Sequence, residues 1–330
     1  MDFGRCICGF AAAAMLAGCG GLQAPINVPG AMPQSRTVAH RAGRAGSWMA
    51  LEAKGEDLIY LSEYASGTNA VYVYAYHSGK FVGQLTGFDT AQGLCVDRAG
   101  DVFVTELYGQ DIVKYAHGGT KPKARLKDAG FAPGACDVDP TTGDLAVANY
   151  CGQSVSDCIG SNAGDLVVYP KARGTPESYH NKAVSTYLFC GYDSMGNLYA
   201  DGGGSPGYPG FEFVGLRHRT KKLRTITLDQ SISGTGGVQW DGSHVVVGDA
   251  SYRILYQFSI NGSRGTKIGS TTLRNTSFEQ FWITQNKVLS TAATYRRSWV
   301  QFFDYPAGGD YTGRFNAHRA YGITVSRAGR

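Results

Sequence analysis

Apolar and polar positions alternate along this chain in short runs that stop at turn residues, and one such phrase recurs. At residues 92–106 it reads QGLCVDRAGDVFVTE: an apolar run ending in Asp97, a turn through Arg98, Ala99, Gly100 and Asp101, then a second apolar run ending in Glu106. Runs of that length around a Gly-containing turn predict two antiparallel strands joined by a tight hairpin. The phrase returns as GACDVDPTTGDLAVAN (134–149), FCGYDSMGNLYAD (189–201) and GVQWDGSHVVVGD (237–249). A degraded copy, FWITQNKVLSTA, spans 281–292, and a truncated one, YGITVS, spans 321–326.

The copies start near residues 93, 134, 188, 237, 281 and 322, a spacing of about 40 to 54 residues. A strand repeat of that period is the signature of propeller blades, each a small sheet that buries its faces only against its neighbours. The last copy has a first strand and no second. Residues 57–91 hold three later strands (LIYLSE, AVYVYAY, KFVGQLTG) and no first one. The two ends complete each other. Residues 323–326 are therefore expected to form the inner strand of the first blade and to close the ring without an open sheet edge. The fold class is all-β, a six-bladed β-propeller closed by the C-terminal strand. The expected blades are 47–91, 92–132, 133–186, 187–234, 235–280 and 281–320.

The N-terminus changes the picture of where this domain sits. Arg5 is followed at 6–16 by an apolar run of eleven residues, too short to span a membrane as a mature helix, ending in Leu16-Ala17-Gly18-Cys19. That tetrad resembles a bacterial lipobox. The resemblance implies a signal peptide over 1–18, cleavage before Cys19, and lipid such as palmitate on that cysteine. An ordinary secretory signal with an incidental cysteine is the other reading. Gly20 stands where lipoproteins retained in the inner membrane often carry Asp, so the resemblance implies the outer membrane or cell surface. Residues 19–46 are Gly-, Pro- and Ala-rich without periodicity and read as a flexible tether; 47–330 is the propeller. The tether's Arg36, Arg41 and Arg44 account for three of the chain's net +5, and Asp2 cancels Arg5, leaving the propeller +2. That is too little for a nucleic-acid binder, and none is expected as a partner.

Cys151 and Cys158 lie in a polar insertion of the third blade and are expected to pair, since an exported protein meets oxidising conditions. A metal pair there lacks further ligands at suitable spacing. Cys136 and Cys190 each stand three residues before the turn aspartate of their strand, Cys95 only two, so Cys95 faces the other way. Cys136 and Cys190 are either small buried residues or partners across neighbouring blades.

Local catalytic motifs are absent from the sequence: there is no HExxH, GxSxG, Walker loop or EF-hand spacing. The repeat instead sets up a ring. The second strands end in Glu63, Glu106, Asn149, Asp201 (one residue out of register), Asp249 and Thr291. Carboxylates and amides are hard oxygen ligands suited to one Ca²⁺, Mg²⁺ or Mn²⁺. The competing reading is that each anchors the turn beside it. A Gly/Pro-rich insert at 201–213 places Tyr208 and Phe211 on an expected binding loop. Tyr72, Tyr74 and Tyr76 share one strand face and serve either blade packing or carbohydrate stacking. The basic run LRHRTKKLR (216–224) reads as a solvated outer hairpin or as a patch for an anionic envelope polymer.

The phrases GLCVDRAGDVFVTE and YAHGGTKPKARLKD resemble blades of the NHL-type propellers, and VDPTTGDLAVAN and GGVQWDG resemble uncharacterised bacterial propeller lipoproteins. The resemblance covers about 47–326 and implies the fold, while many functions sit on it. Two function classes follow. One is a lipid-anchored extracytoplasmic module that binds a protein or glycan partner. The other is a divalent-metal-dependent hydrolase or lyase of the gluconolactonase or streptogramin-lyase propeller type.

Overall fold

The computed structural model describes residues 46–63, 69–128, 131–152, 162–205, 210–293 and 297–329. Six sheets of four or five strands, antiparallel except for one short edge strand, form a six-bladed β-propeller. Their innermost strands, in ring order, are Gly322–Ser326, Ala91–Val96, Pro133–Val138, Val184–Tyr192, Thr235–Trp240 and Trp282–Ile283. The closing strand behaves as the truncated sequence copy requires. Gly322–Ser326 pairs antiparallel with Leu58–Glu63, Leu58 opposite Ser326 and Ser62 opposite Gly322. Ile323 is fully buried in the seam between blades 6 and 1.

The hairpin phrase has one recurring physical cause. In blades 2 to 5 the aspartate that follows the inner strand folds its carboxylate back onto the turn. Asp97 Oδ1 accepts from the Ala99 and Asp101 amides (both 2.9 Å), and Asp139 Oδ1 from Thr141 (2.7 Å). Asp193 Oδ1 accepts from Met195 and Asn197 (both 2.9 Å), and Asp241 Oδ1 from Ser243 (2.8 Å) and His244 (2.7 Å). These Asx turns satisfy amides that no strand partner reaches. Gly100, Gly143, Gly196 and Gly242 supply the positive φ that reverses the chain (83, 77, 79 and 103°).

Two short outer strands lie outside the expected pattern. Trp48–Met49 adds a fifth strand to blade 1, and Thr227–Leu228 runs parallel to Arg264–Thr272 at the edge of blade 5. Residues 227–228 were expected in blade 4. Two-residue strands have no periodicity to read, and the long outer strand of blade 5 offers an edge to the chain passing it.

The cysteines pair differently from the expected alternatives. Cys95 and Cys136 form a disulfide between blades 2 and 3, and Cys190 is the free cysteine among the described residues. Two residues with the same phase on adjacent blades point the same way round the ring and cannot meet. Cys95, of opposite phase, faces forward and meets the backward-facing Cys136. Cys190 also faces backward, its Sγ 3.8 Å from the Ala135 carbonyl. Cys151 is disulfide-bonded, while its expected partner Cys158 lies outside the described residues.

Tyrosines 72, 74 and 76 serve blade packing. Tyr74 and Tyr76 lie 5.2 and 5.7 Å from Phe315 and Phe302 of blade 6. Tyr72 stacks on His318 at 3.5 Å.

Candidate functional site

The residues that end the second strands each engage a neighbour, while Asn149 Oδ1 and Asp201 Oδ2 are left without a partner among the described residues. Glu106 accepts from the Asp89 amide (2.8 Å) and from Arg125 (2.7 Å). Asn149 donates to Asp165 (2.7 Å), and Asp249 accepts from the amides of Ser233 (2.8 Å) and Ser251 (3.1 Å). Thr291 reaches the Ala320 carbonyl at 3.5 Å. Glu63 is buried at the end of its strand, close enough that its charge acts on Tyr74 and His318. Asp201 lies inside the strand Leu198–Gly204, and its Oδ1 accepts from the Phe189 amide at 3.0 Å. Its Oδ2 has no donor among the described residues, and burial pushes the carboxyl up to about 8. Among the described residues, no three His, Cys, Asp or Glu side chains converge as metal ligands. Glu106 and Asp249 tie the strand end to the loop that enters the same blade, which is turn and loop anchoring.

Cys19, Cys158 and Tyr208 lie outside the described residues. Phe211 begins the strand Phe211–Leu216, half-buried, its ring stacked 6.4 Å from that of Phe213.

The position that does reach across the ring stands two residues before each turn aspartate. It holds Cys95, Asp137, Gly191 and Gln239. Each faces the next blade. Asp137 accepts from the Tyr192 amide of blade 4 (2.7 Å), and Gln239 Oε1 accepts from the Ile283 amide of blade 6 (2.7 Å). A Cβ on Gly191 would sit 2.6 Å from the Val238 carbonyl, so blades 4 and 5 meet there backbone to backbone. Gln280 crosses further, donating to the Leu94 carbonyl of blade 2 (3.0 Å) and accepting from Ile323 of the closing strand (3.3 Å). These side chains and the rings of Phe189, Phe281 and Trp282 leave a cavity of about 20 Å³, room for roughly one water. Asp137 lines that cavity, and burial holds its carboxyl up at about 7.

The signal for these residues is present in the sequence. Asp137 and Gln239 are polar residues inside otherwise apolar inner strands. Aligning the copies on their strand-end aspartates brings them into one column.

Larger concavities lie at the rim, where blades diverge. A groove of about 290 Å³ separates blades 3 and 4 and is lined by Asp139, Asp144, Glu177, Arg217, His218 and Lys221. Lys221 pairs with Glu177 at 3.3 Å, and the His218 ring lies 3.8 Å from Asp139. The basic run at 216–224 borders this groove. A second groove, of about 330 Å³, lies on the side of blade 6 that faces blade 5 and includes Trp299, Gln301, Tyr311 and Arg314.

Comparison with known proteins identifies the fold alone. No family model matches the sequence, and no curated protein matches it. Among solved structures 1189 chains match, a breadth that by itself rules out reading a function from the fold. One, from the crystal structure of a nidogen/laminin complex, has a TM-score of 0.63 and 13% identity, covering 82% of this chain and 98% of its own. Another, a protein of unknown function from Bacteroides caccae, has a TM-score of 0.58 and 11% identity, covering 82% and 99%.

Proposed function

We propose that this chain is an exported, lipid-anchored propeller of the NHL-like type that works by binding a protein or glycan of the cell envelope, tethered through Cys19. The observation that carries this reading is the contrast between channel and rim. Asp137, Gln239 and Gln280 hydrogen-bond across the blade seams, and the cavity they line is about 20 Å³, whereas grooves of about 290 and 330 Å³ open between blades. Ligand sites need concave volume of the latter order. The inter-blade disulfide supports an oxidising compartment, hence export. The matched chain from a nidogen/laminin complex is an instance of this fold within a protein assembly.

The test is made on the full chain in detergent. Saturable binding to isolated envelope fractions, with no turnover of lactone or lyase substrates in Ca²⁺, Mg²⁺ or Mn²⁺, is the expected result. In cells, Cys19→Ala is expected to abolish palmitate labelling and membrane retention. A second reading, the metal-dependent hydrolase or lyase, is favoured by Asp137. Its carboxyl lines the channel cavity and is held at about 7, where a general acid–base group works best. Metal-dependent turnover lost in EDTA and in Asp137→Asn would establish that reading instead.

A further inference from the structure

The groove beside blade 6 has a built interior. Gln301 is 2% exposed and lies in the strand Ser298–Asp304, directly opposite Arg314 on the next strand. Its Nε2 donates to the Asn275 carbonyl at 3.1 Å, which fixes the amide orientation and leaves Oε1 with no donor among the described residues. A buried amide oxygen without a donor carries a desolvation cost that a ligand hydroxyl or N–H would remove. Arg314 is the second feature. Its guanidinium sits 5.1 Å from the Trp299 ring centre and 4.9 Å from that of Tyr311, and it makes no ion pair among the described residues. The nearest acid along the chain, Asp310, pairs instead with Arg274 (3.7 Å) and takes an amide hydrogen bond from Asn275 (3.4 Å). Two rings thus hold an unpaired cation in one place, with its fork pre-ordered for a planar anion. Thr276 and Ser277 add hydroxyls to the groove wall.

We propose that this groove binds a carboxylated saccharide, a uronic-acid unit of an envelope polysaccharide. The carboxylate pairs with Arg314, a sugar hydroxyl donates to Gln301 Oε1, and the apolar ring face lies against Trp299 and Tyr311. A bare phosphate fits less well. It can pair with Arg314 but has no apolar face to lie against Trp299 and Tyr311. A neutral glycan would leave Arg314 unpaired. The assignment rests on the binding role proposed above and gives it a ligand class.

Calorimetric titration of the full chain in detergent tests it, using galacturonate and glucuronate oligomers, neutral hexose oligomers of the same length, and inorganic phosphate. The uronates are expected to bind at least about tenfold tighter than the neutral oligomers or phosphate. Arg314 is exposed, so Arg314→Gln should keep the wild-type melting curve and lose about tenfold or more in uronate affinity; Arg314→Lys should lose part of it. Uronate binding unchanged in Arg314→Gln, equal binding of the neutral oligomers or phosphate, or no binding of any uronate up to millimolar concentration would each overturn the proposal. If envelope fractions still bind the wild-type chain in that last case, the ligand class falls and the binding role stands.

Discussion

Cys95 of blade 2 and Cys136 of blade 3 are joined across a blade seam, 41 residues apart in sequence, because one faces forward round the ring and the other back. The chain-entropy account gives a bridge of that span about 4 kcal/mol of stability. The double variant Cys95→Ala/Cys136→Ala is therefore expected to keep the fold and unfold at lower denaturant, with ΔG reduced by about that amount. Equal midpoints for variant and wild type would show that the seam is held by packing alone.

Gly191 and Val238 fix the next seam but one. With a Cβ 2.6 Å from a backbone carbonyl, Gly191→Ala must push blades 4 and 5 apart. Overpacking of this kind costs about 1–3 kcal/mol. Thermal unfolding would record it as a lowered Tm, whereas Ala at the solvent-exposed turn glycine Gly262 would register only the local backbone strain of its positive φ.

Stability should also depend on pH through the buried acids. Asp201 is raised to about 8, and Asp137, Asp128 and Glu279 to about 7, in each case chiefly by burial. The folded state binds these protons more tightly than the unfolded chain does. Their contribution is therefore complete below the unfolded carboxylate value near 4 and is lost as pH rises through 7 to 8. Each such group adds a slope of at most about 1.4 kcal/mol per pH unit within that window. Denaturant midpoints between pH 4 and 8 should fall with rising pH, and less steeply in Asp201→Asn. A midpoint that rises over the whole range would contradict the burial of these carboxylates in their protonated form.

Much of this was legible in the sequence. The hairpin phrase named five inner strands, and its truncated final copy named the closing strand, because Asx turns and period-2 runs are local and leave local marks. The rim grooves were not legible. Gln301 and Trp299 share a face with Phe303 toward blade 5, while Val300 and Phe302 face blade 1. Which alternation faces a groove depends on how far two blades diverge, and no run of residues within a single blade encodes that distance. Phase was legible but needed the right comparison. Cys95 and Cys136 differ in phase, and it is unlike phases that meet across a seam. The ring of strand-end acids was visible as a pattern, but the same spacing serves loop anchoring, as Glu106 on the Asp89 amide does.

On the binding role proposed above, ligands seat at the rim and not in the channel. Hydrogen–deuterium exchange on the full chain, with and without acidic envelope polysaccharide, tests it most directly. Protection at residues 275–277 and 298–314, with the polysaccharide recovered intact, is the predicted result. Protection confined to the channel-lining segments 135–137, 189–190 and 237–239, with cleaved product in solution, would contradict it.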